Sequence, residues 1–149
     1  MVKKQVEVEL HPETQLLFEE VESSFPGLIQ NLVDDFRAWV ESGEEYWPRR
    51  FGKVSYYNQP PSVRSASLLH MHICMPPREG FPDRIPVADR KCRVGEPERD
   101  AALVYVQGEL YEEKYCILAL LYPNAHEKAQ EERTILELAR LARNFRDEN

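Results

Sequence analysis

Hydrophobic and polar residues follow two different periods in the first third of the chain. Residues 2–10 alternate one by one, with Val6, Val8 and Leu10 on one side, which predicts a strand with one side facing solvent. From residue 12 to residue 43 the apolar positions recur every three or four residues, which predicts two helices separated at Pro26 and Gly27.

The second half of the chain predicts a sheet followed by a helix. A strand is expected over about 66–75, and the runs "AALVYVQG" and "KYCILALLYP" predict two more, the second apolar enough to be covered on both faces. The segment from Asn124 onwards has the period of one long helix. These elements predict a single α+β domain over 1–149, an antiparallel sheet flanked by helices in the order β-α-α-β-β-β-α.

Residues 76–99 have no hydrophobic period at all. They contain five of the eleven prolines, two glycines and many charges. A loop of this length within a compact domain is usually functional or mobile.

Charge is distributed unevenly along the chain. The whole sequence has a net charge of −7, which argues against a nucleic-acid partner. However, residues 46–100 carry ten basic against six acidic side chains, whereas residues 1–45 carry three against eleven. The basic middle of the chain therefore makes RNA binding possible.

The sequence shows no signal peptide and no apolar run near the roughly 18 residues that a membrane span requires. Its three cysteines are odd in number and lack CxxC spacing, so we expect a cytoplasmic protein without disulfides, with Cys116 as a buried thiol.

The stretch "LLHMHICM" carries the chemistry that most needs explanation. At the two-residue period of a strand, Leu69, Met71 and Ile73 share one face, and His70, His72 and Cys74 share the other. Three interpretations remain open: a metal site built on His-x-His, an RNA-cleaving surface, or histidines that are simply part of a solvated sheet face. RNA cleavage without a metal needs a base, an acid and cations, and histidine and arginine suit these tasks.

Several motifs occur in the order and at roughly the spacing of one protein family. They are "LLHMHI", the pair Phe81–Pro82, Arg93 followed by "GEPERD", "LVYVQG", "LLYPNAH" and "LARNFR". In these features, which span residues 51–146, the chain resembles the YafO family of type II toxin–antitoxin toxins. The resemblance implies a ribosome-dependent endoribonuclease, or mRNA interferase, with a compact fold similar to RelE-like toxins.

The resemblance also implies partners and roles. The partners would be a cognate antitoxin and the ribosome with translated mRNA, and no metal or other cofactor would be needed. We expect His70 and His72 to be the general acid and base in either order, with Arg93 on the scissile phosphate and His126 as a further catalytic candidate. Arg78 would contact phosphate, and Tyr105 and Gln107 would position the nucleotide. The alternatives are a non-catalytic binding module for protein or RNA and a zinc-dependent hydrolase using His-x-His.

Overall fold

The computed structural model describes residues 5–149, in which five strands form one sheet in the order β1-β5-β4-β3-β2. The strands are β1 (Glu7–Leu10), β2 (Phe51–Tyr56), β3 (Leu69–Ile73), β4 (Ala102–Gln107) and β5 (Lys114–Leu121). The helices are α1 (Gln15–Ser24), α2 (Leu28–Glu41), α3 (Ala125–Gln130) and α4 (Glu132–Glu148). The α+β class predicted from the sequence is therefore confirmed.

The prediction of a purely antiparallel sheet is wrong at one edge. β1 runs parallel to β5, with Glu7 opposite Lys114 and Leu10 opposite Ile117, while the other three pairings are antiparallel. Alternation of apolar residues reveals which face of a strand is buried but not which neighbour it pairs with or in which direction. The predicted start of this strand, residues 2–4, lies outside the described residues.

The predicted element order also differs from the structure, which reads β-α-α-β-β-β-β-α-α through its strands and α-helices. β2 was missed because aromatic, basic and glycine residues interrupt its alternation. The expected single terminal helix is divided at Glu131, whose extended backbone (φ −71°, ψ 110°) ends α3 and begins α4.

The sheet is covered on both faces. α1 and α2 pack on one face, where Phe36 and Trp39 are fully buried beside Met71 and Ile73. α4 packs on the other face against β4 and β5, with Leu138 and Leu141 in its core. The predicted division of β3 is confirmed, because Met71 and Ile73 enter the first core while His70 and His72 line a pocket on the opposite face.

The proline-rich segment 76–99 contains no strand or α-helix, only two short 3-10 helices at Val87–Asp89 and Pro97–Arg99. It is fixed to the edge of β2: the Lys53 backbone N–H donates to the Arg90 carbonyl at 2.9 Å. The Arg90 side chain is buried and donates through Nε to the Ile85 carbonyl at 3.0 Å. Within residues 5–149, no helix is long and apolar enough to cross a membrane.

Candidate active site

Three of the four histidines meet in one pocket of about 250 Å³ on the α3–α4 face of the sheet. His70 and His72 come from β3, and His126 comes from the first turn of α3. The ring centroids of His70 and His72 are 6.0 Å apart, and those of His72 and His126 are 5.6 Å apart. We call this the histidine pocket; its other lining residues include Tyr57, Gln59, Asp100, Ala102 and Gln130.

His126 is held by a buried carboxylate. Its Nδ1 lies 2.8 Å from Asp100 Oδ1, and its backbone N–H donates to Asp100 Oδ2 at 3.0 Å. Because an ionised carboxylate only accepts hydrogen bonds, Nδ1 carries the hydrogen, and Nε2 of the neutral ring keeps its lone pair. The His126 side chain is about one-third exposed and that of Asp100 only 3%. His126 can therefore accept a proton at Nε2.

His72 has the opposite arrangement. The backbone N–H of Cys92 donates to His72 Nδ1 at 3.0 Å, so the hydrogen of the neutral ring must be on Nε2. Burial, reinforced by the nearby His126, lowers the pKa of His72 to about 4. At neutral pH His72 is consequently an uncharged hydrogen-bond donor rather than a base.

His70 is packed more tightly than the other two. Its ring stacks on Tyr57 with centroids 3.9 Å apart, and its Nε2 lies 3.3 Å from the Ser55 hydroxyl. Its Nδ1 is buried without a hydrogen-bond partner among the described residues. Burial, followed by the influence of His72 and His126, lowers the pKa of His70 to about 4. His70 is thus uncharged at neutral pH and has little freedom to exchange protons.

Two lysines contribute positive potential at the histidine pocket. Lys53 on β2 lowers the pKa of both His70 and His72, and Lys91 lowers that of His72. Neither lysine side chain forms an ion pair or a hydrogen bond with another described residue. An anion that entered the pocket would therefore meet two unpaired lysines nearby, which oppose the negative charge of Asp100.

Arg78 and Arg93 lie in a second, neighbouring cavity and not in the histidine pocket. This loop cavity has a volume of about 290 Å³ and is enclosed largely by residues 74–99. Cys92 connects the two sites, because it lines the loop cavity while its N–H bonds to His72.

Tyr105 and Gln107 are not brought to either site. Tyr105 is 2% exposed and points to the α1–α2 face. There its ring packs edge-to-face on Phe36, with the ring centroids 4.9 Å apart. Gln107 donates through Nε2 to the Glu112 carbonyl at 2.8 Å, in the turn that joins β4 to β5.

No group of three or more His, Cys, Asp or Glu side chains within residues 5–149 could hold a metal ion. His72 is also a poor ligand, since the Cys92 N–H on its Nδ1 leaves the hydrogen of the neutral ring on Nε2.

Sequence reasoning missed Asp100, Tyr57 and the Cys92 N–H. Asp100 ends the acidic run "GEPERD" just before β4. Because β4 pairs with β3, the sequence did indicate a carboxylate near the end of the strand that carries His70 and His72. Tyr57 could be read only as part of an aromatic run. The Cys92 contact depends on how the long loop folds back, which no local pattern specifies.

A comparison with known protein families identifies a family for most of the chain. The family described as "Toxin YafO, type II toxin-antitoxin system" matches residues 37–147, which include β2 to β5, the histidine pocket and the loop cavity. Searches of curated proteins and of solved structures found no match.

Proposed function

We propose that this chain, which belongs to the YafO family of type II toxin–antitoxin toxins, is an endoribonuclease that cleaves mRNA on the ribosome with the histidine pocket as its active site. The observation that carries the proposal is the Asp100–His126 pair. It presents an imidazole Nε2 lone pair beside a neutral Nε2–H donor, with two lysines nearby.

In this mechanism His126 is the general base. Its Nε2 takes the proton of a ribose 2′-hydroxyl, and the resulting oxygen attacks the adjacent phosphorus as the bond to the 5′-oxygen breaks. Asp100 fixes the ring orientation and its tautomer, and it stabilises the imidazolium that forms. Neither His70 nor His72 carries an additional proton at neutral pH, so solvent supplies the proton to the leaving oxygen.

His72 acts in this scheme by hydrogen bonding. Its Nε2–H can donate to a phosphoryl oxygen whose negative charge grows in the transition state, and Lys53 and Lys91 add favourable potential. His70 supports the pocket wall through its stack on Tyr57. The assignment differs from the expectation that His70 and His72 would exchange the protons, because the hydrogen-bond partners favour His126 for that role.

Membership of a type II system implies a cognate antitoxin that silences the toxin. The net charge of −7 supports dependence on the ribosome, since contacts to phosphate dominate non-specific RNA affinity and acidic residues outnumber basic ones in this chain. The ribosome would then supply the substrate alignment that a small basic region cannot.

The test is cleavage of a reporter mRNA, translated or naked, by purified protein. We expect cleavage of the translated message, little cleavage of the naked one, and growth arrest when the protein is induced without its antitoxin. General bases contribute about 10²–10⁴-fold to rate, so His126→Ala should reduce cleavage by that order and restore growth.

His11→Ala is the matched control, because His11 lies in the turn before α1 and only caps the Glu13 N–H. It should retain cleavage and growth arrest. Unimpaired growth with the folded wild-type protein, or full activity of His126→Ala, would contradict the proposal.

A further inference from the structure

The loop cavity combines an apolar floor with a cationic rim. Met75 and Phe81 are almost completely buried and form part of the floor. Four cations line the cavity: Arg78, Lys91, Arg93 and Arg99. Apolar surface beside cationic groups suits a ligand that is flat and apolar at one end and anionic at the other.

The cations of the rim are available to a ligand. Arg78, Arg93 and Arg99 have exposed side chains that form no ion pair or hydrogen bond with another described residue. Other arginines of this region are already engaged: Arg49 pairs with Glu79 and Asp83, and Arg50 donates to the Cys74 and Arg78 carbonyls. Arg84 of the same loop is also free, so three of the four unpaired arginines of residues 76–99 line the cavity.

Two carboxylates also line the cavity. Asp89 and Glu96 lie within the same wall, yet neither pairs with the arginines there. Carboxylate oxygens can accept hydrogen bonds from ribose hydroxyls or from base amino groups, which a simple inorganic anion lacks. They therefore favour a nucleotide over free phosphate.

The cavity adjoins the histidine pocket at Cys92. Its Sγ–H is directed to the Ile73 and Ala101 carbonyls at 3.4 and 3.5 Å, while its N–H holds His72. A ligand that enters the loop cavity is consequently separated from His72 only by the Cys92 backbone.

We propose that the loop cavity is a subsite for one nucleotide of the RNA, next to the nucleotide cleaved in the histidine pocket. The inference rests on the proposed endoribonuclease function. The loop cavity has a volume of about 290 Å³, which lies at the lower limit of small-molecule sites. This volume suits one nucleotide and not several. Arg93 and Arg99 then bind the phosphate that adjoins the scissile one, and the apolar floor receives the base.

The test measures binding separately from cleavage. The His126→Ala protein is titrated with a mixture of nucleoside 3′-monophosphates, with nucleosides, or with inorganic phosphate, and backbone amide shifts are followed by NMR. We expect the monophosphates to shift the amides of Cys92 and Arg93 most strongly. Arg93→Ala with Arg99→Ala should weaken that binding roughly tenfold or more, as for lost charge-assisted hydrogen bonds.

Arg84→Ala is the matched control, since Arg84 is an exposed arginine of the same loop that does not line the cavity. It should leave binding unchanged. Equal weakening by Arg84→Ala, or equal binding of inorganic phosphate and the nucleotides, would overturn the subsite.

The two proposals are separated by measuring RNA cleavage with a protein that keeps His126 and carries the same two substitutions. We expect Arg93→Ala with Arg99→Ala to raise KM for translated mRNA more than it lowers kcat. If the wild-type protein cleaves mRNA but these variants bind and cleave normally, the subsite is wrong and the endoribonuclease stands. If nucleotides bind as expected but the wild-type protein cleaves no RNA, the endoribonuclease fails, and with it the role of the cavity as an RNA subsite.

Discussion

The three histidines of the pocket have different hydrogen-bond partners, and these partners decide what each ring can do. A carboxylate on Nδ1 leaves His126 with a basic Nε2, whereas a backbone N–H on Nδ1 leaves His72 with a donating Nε2–H. His70 has one nitrogen near a serine hydroxyl and the other buried. Three identical side chains therefore offer a base, a donor and a packed wall.

Replacing Asp100 with asparagine tests the orientation of His126 directly. Asparagine preserves the shape but can donate to Nδ1, which would leave the hydrogen on Nε2 and remove the lone pair from the reacting side. We expect Asp100→Asn to lower kcat by about 10²-fold or more, with a smaller change in KM. Glu98→Gln, an exposed acid of the same segment, should have little effect, and unchanged kcat in Asp100→Asn would show that His126 does not depend on the carboxylate.

At the scale of elements, the site depends on how closely the long loop approaches β2. Gly52 permits that approach: a Cβ atom there would lie 2.3 Å from the Arg90 carbonyl oxygen and 3.0 Å from the Phe81 ring. Next to this contact the Lys53 backbone N–H donates to the Arg90 carbonyl, and Cys92 follows Arg90 by two residues. The backbone of β2 and the loop thus position the N–H that fixes His72.

Gly52→Ala should therefore disturb both stability and activity. Backbone must shift to admit the methyl group, and overpacking of this kind typically costs about 1–3 kcal/mol. We expect a lower melting temperature and reduced RNA cleavage. Val94→Ala is the control, because Val94 is a largely exposed side chain of the same loop, and it should leave stability and cleavage unchanged. Equal stability of Gly52→Ala and wild type would mean that the loop can move away without cost.

At the scale of the whole molecule, the two histidines of β3 link folding to pH. In the folded protein His70 and His72 have a pKa of about 4, against 6.5 in an unfolded chain. Between these values the unfolded chain binds more protons, so the free energy of unfolding decreases as the pH falls from about 6.5 to about 4. Each histidine contributes a slope of at most roughly 1.4 kcal/mol per pH unit.

Urea unfolding of His72→Gln across this pH range measures one of the two contributions. Glutamine still offers an oxygen to the Cys92 N–H but does not titrate. We expect the wild type to lose stability relative to the variant as the pH falls from about 6.5 to about 4. A pH-independent difference between wild type and His72→Gln would show that His72 titrates normally in the folded protein.

The sequence predicted the faces of the elements better than their connections. Two-residue alternation correctly separated Met71 and Ile73 from His70 and His72, because burial of one strand face is a local property. Pairing partners are set by contacts between distant segments, so neither the parallel β1–β5 edge nor the strand character of Phe51–Tyr56 could be read from periodicity.

Residue chemistry alone also failed to assemble the site completely. The three histidines predicted as catalytic do meet, yet Arg78 and Arg93 lie in the adjoining cavity and Tyr105 packs in the opposite core. Tyr105 pairs with Leu69 of β3 and shares the face of Leu103, so it lies on the side of the sheet opposite the histidines, and composition does not reveal this register. Asp100 became recognisable only through its contact with His126.

The parallel pairing of β1 with β5 has a consequence for folding during synthesis. β1 is synthesised first but pairs only with β5, and the other strands and α1 and α2 are made between them. Contacts between segments so far apart in sequence form late and slowly. A nascent chain halted after β4 should therefore remain open to proteases and lack His126. The RNA cleavage proposed for the histidine pocket would become possible only after the ribosome has passed the codon for His126.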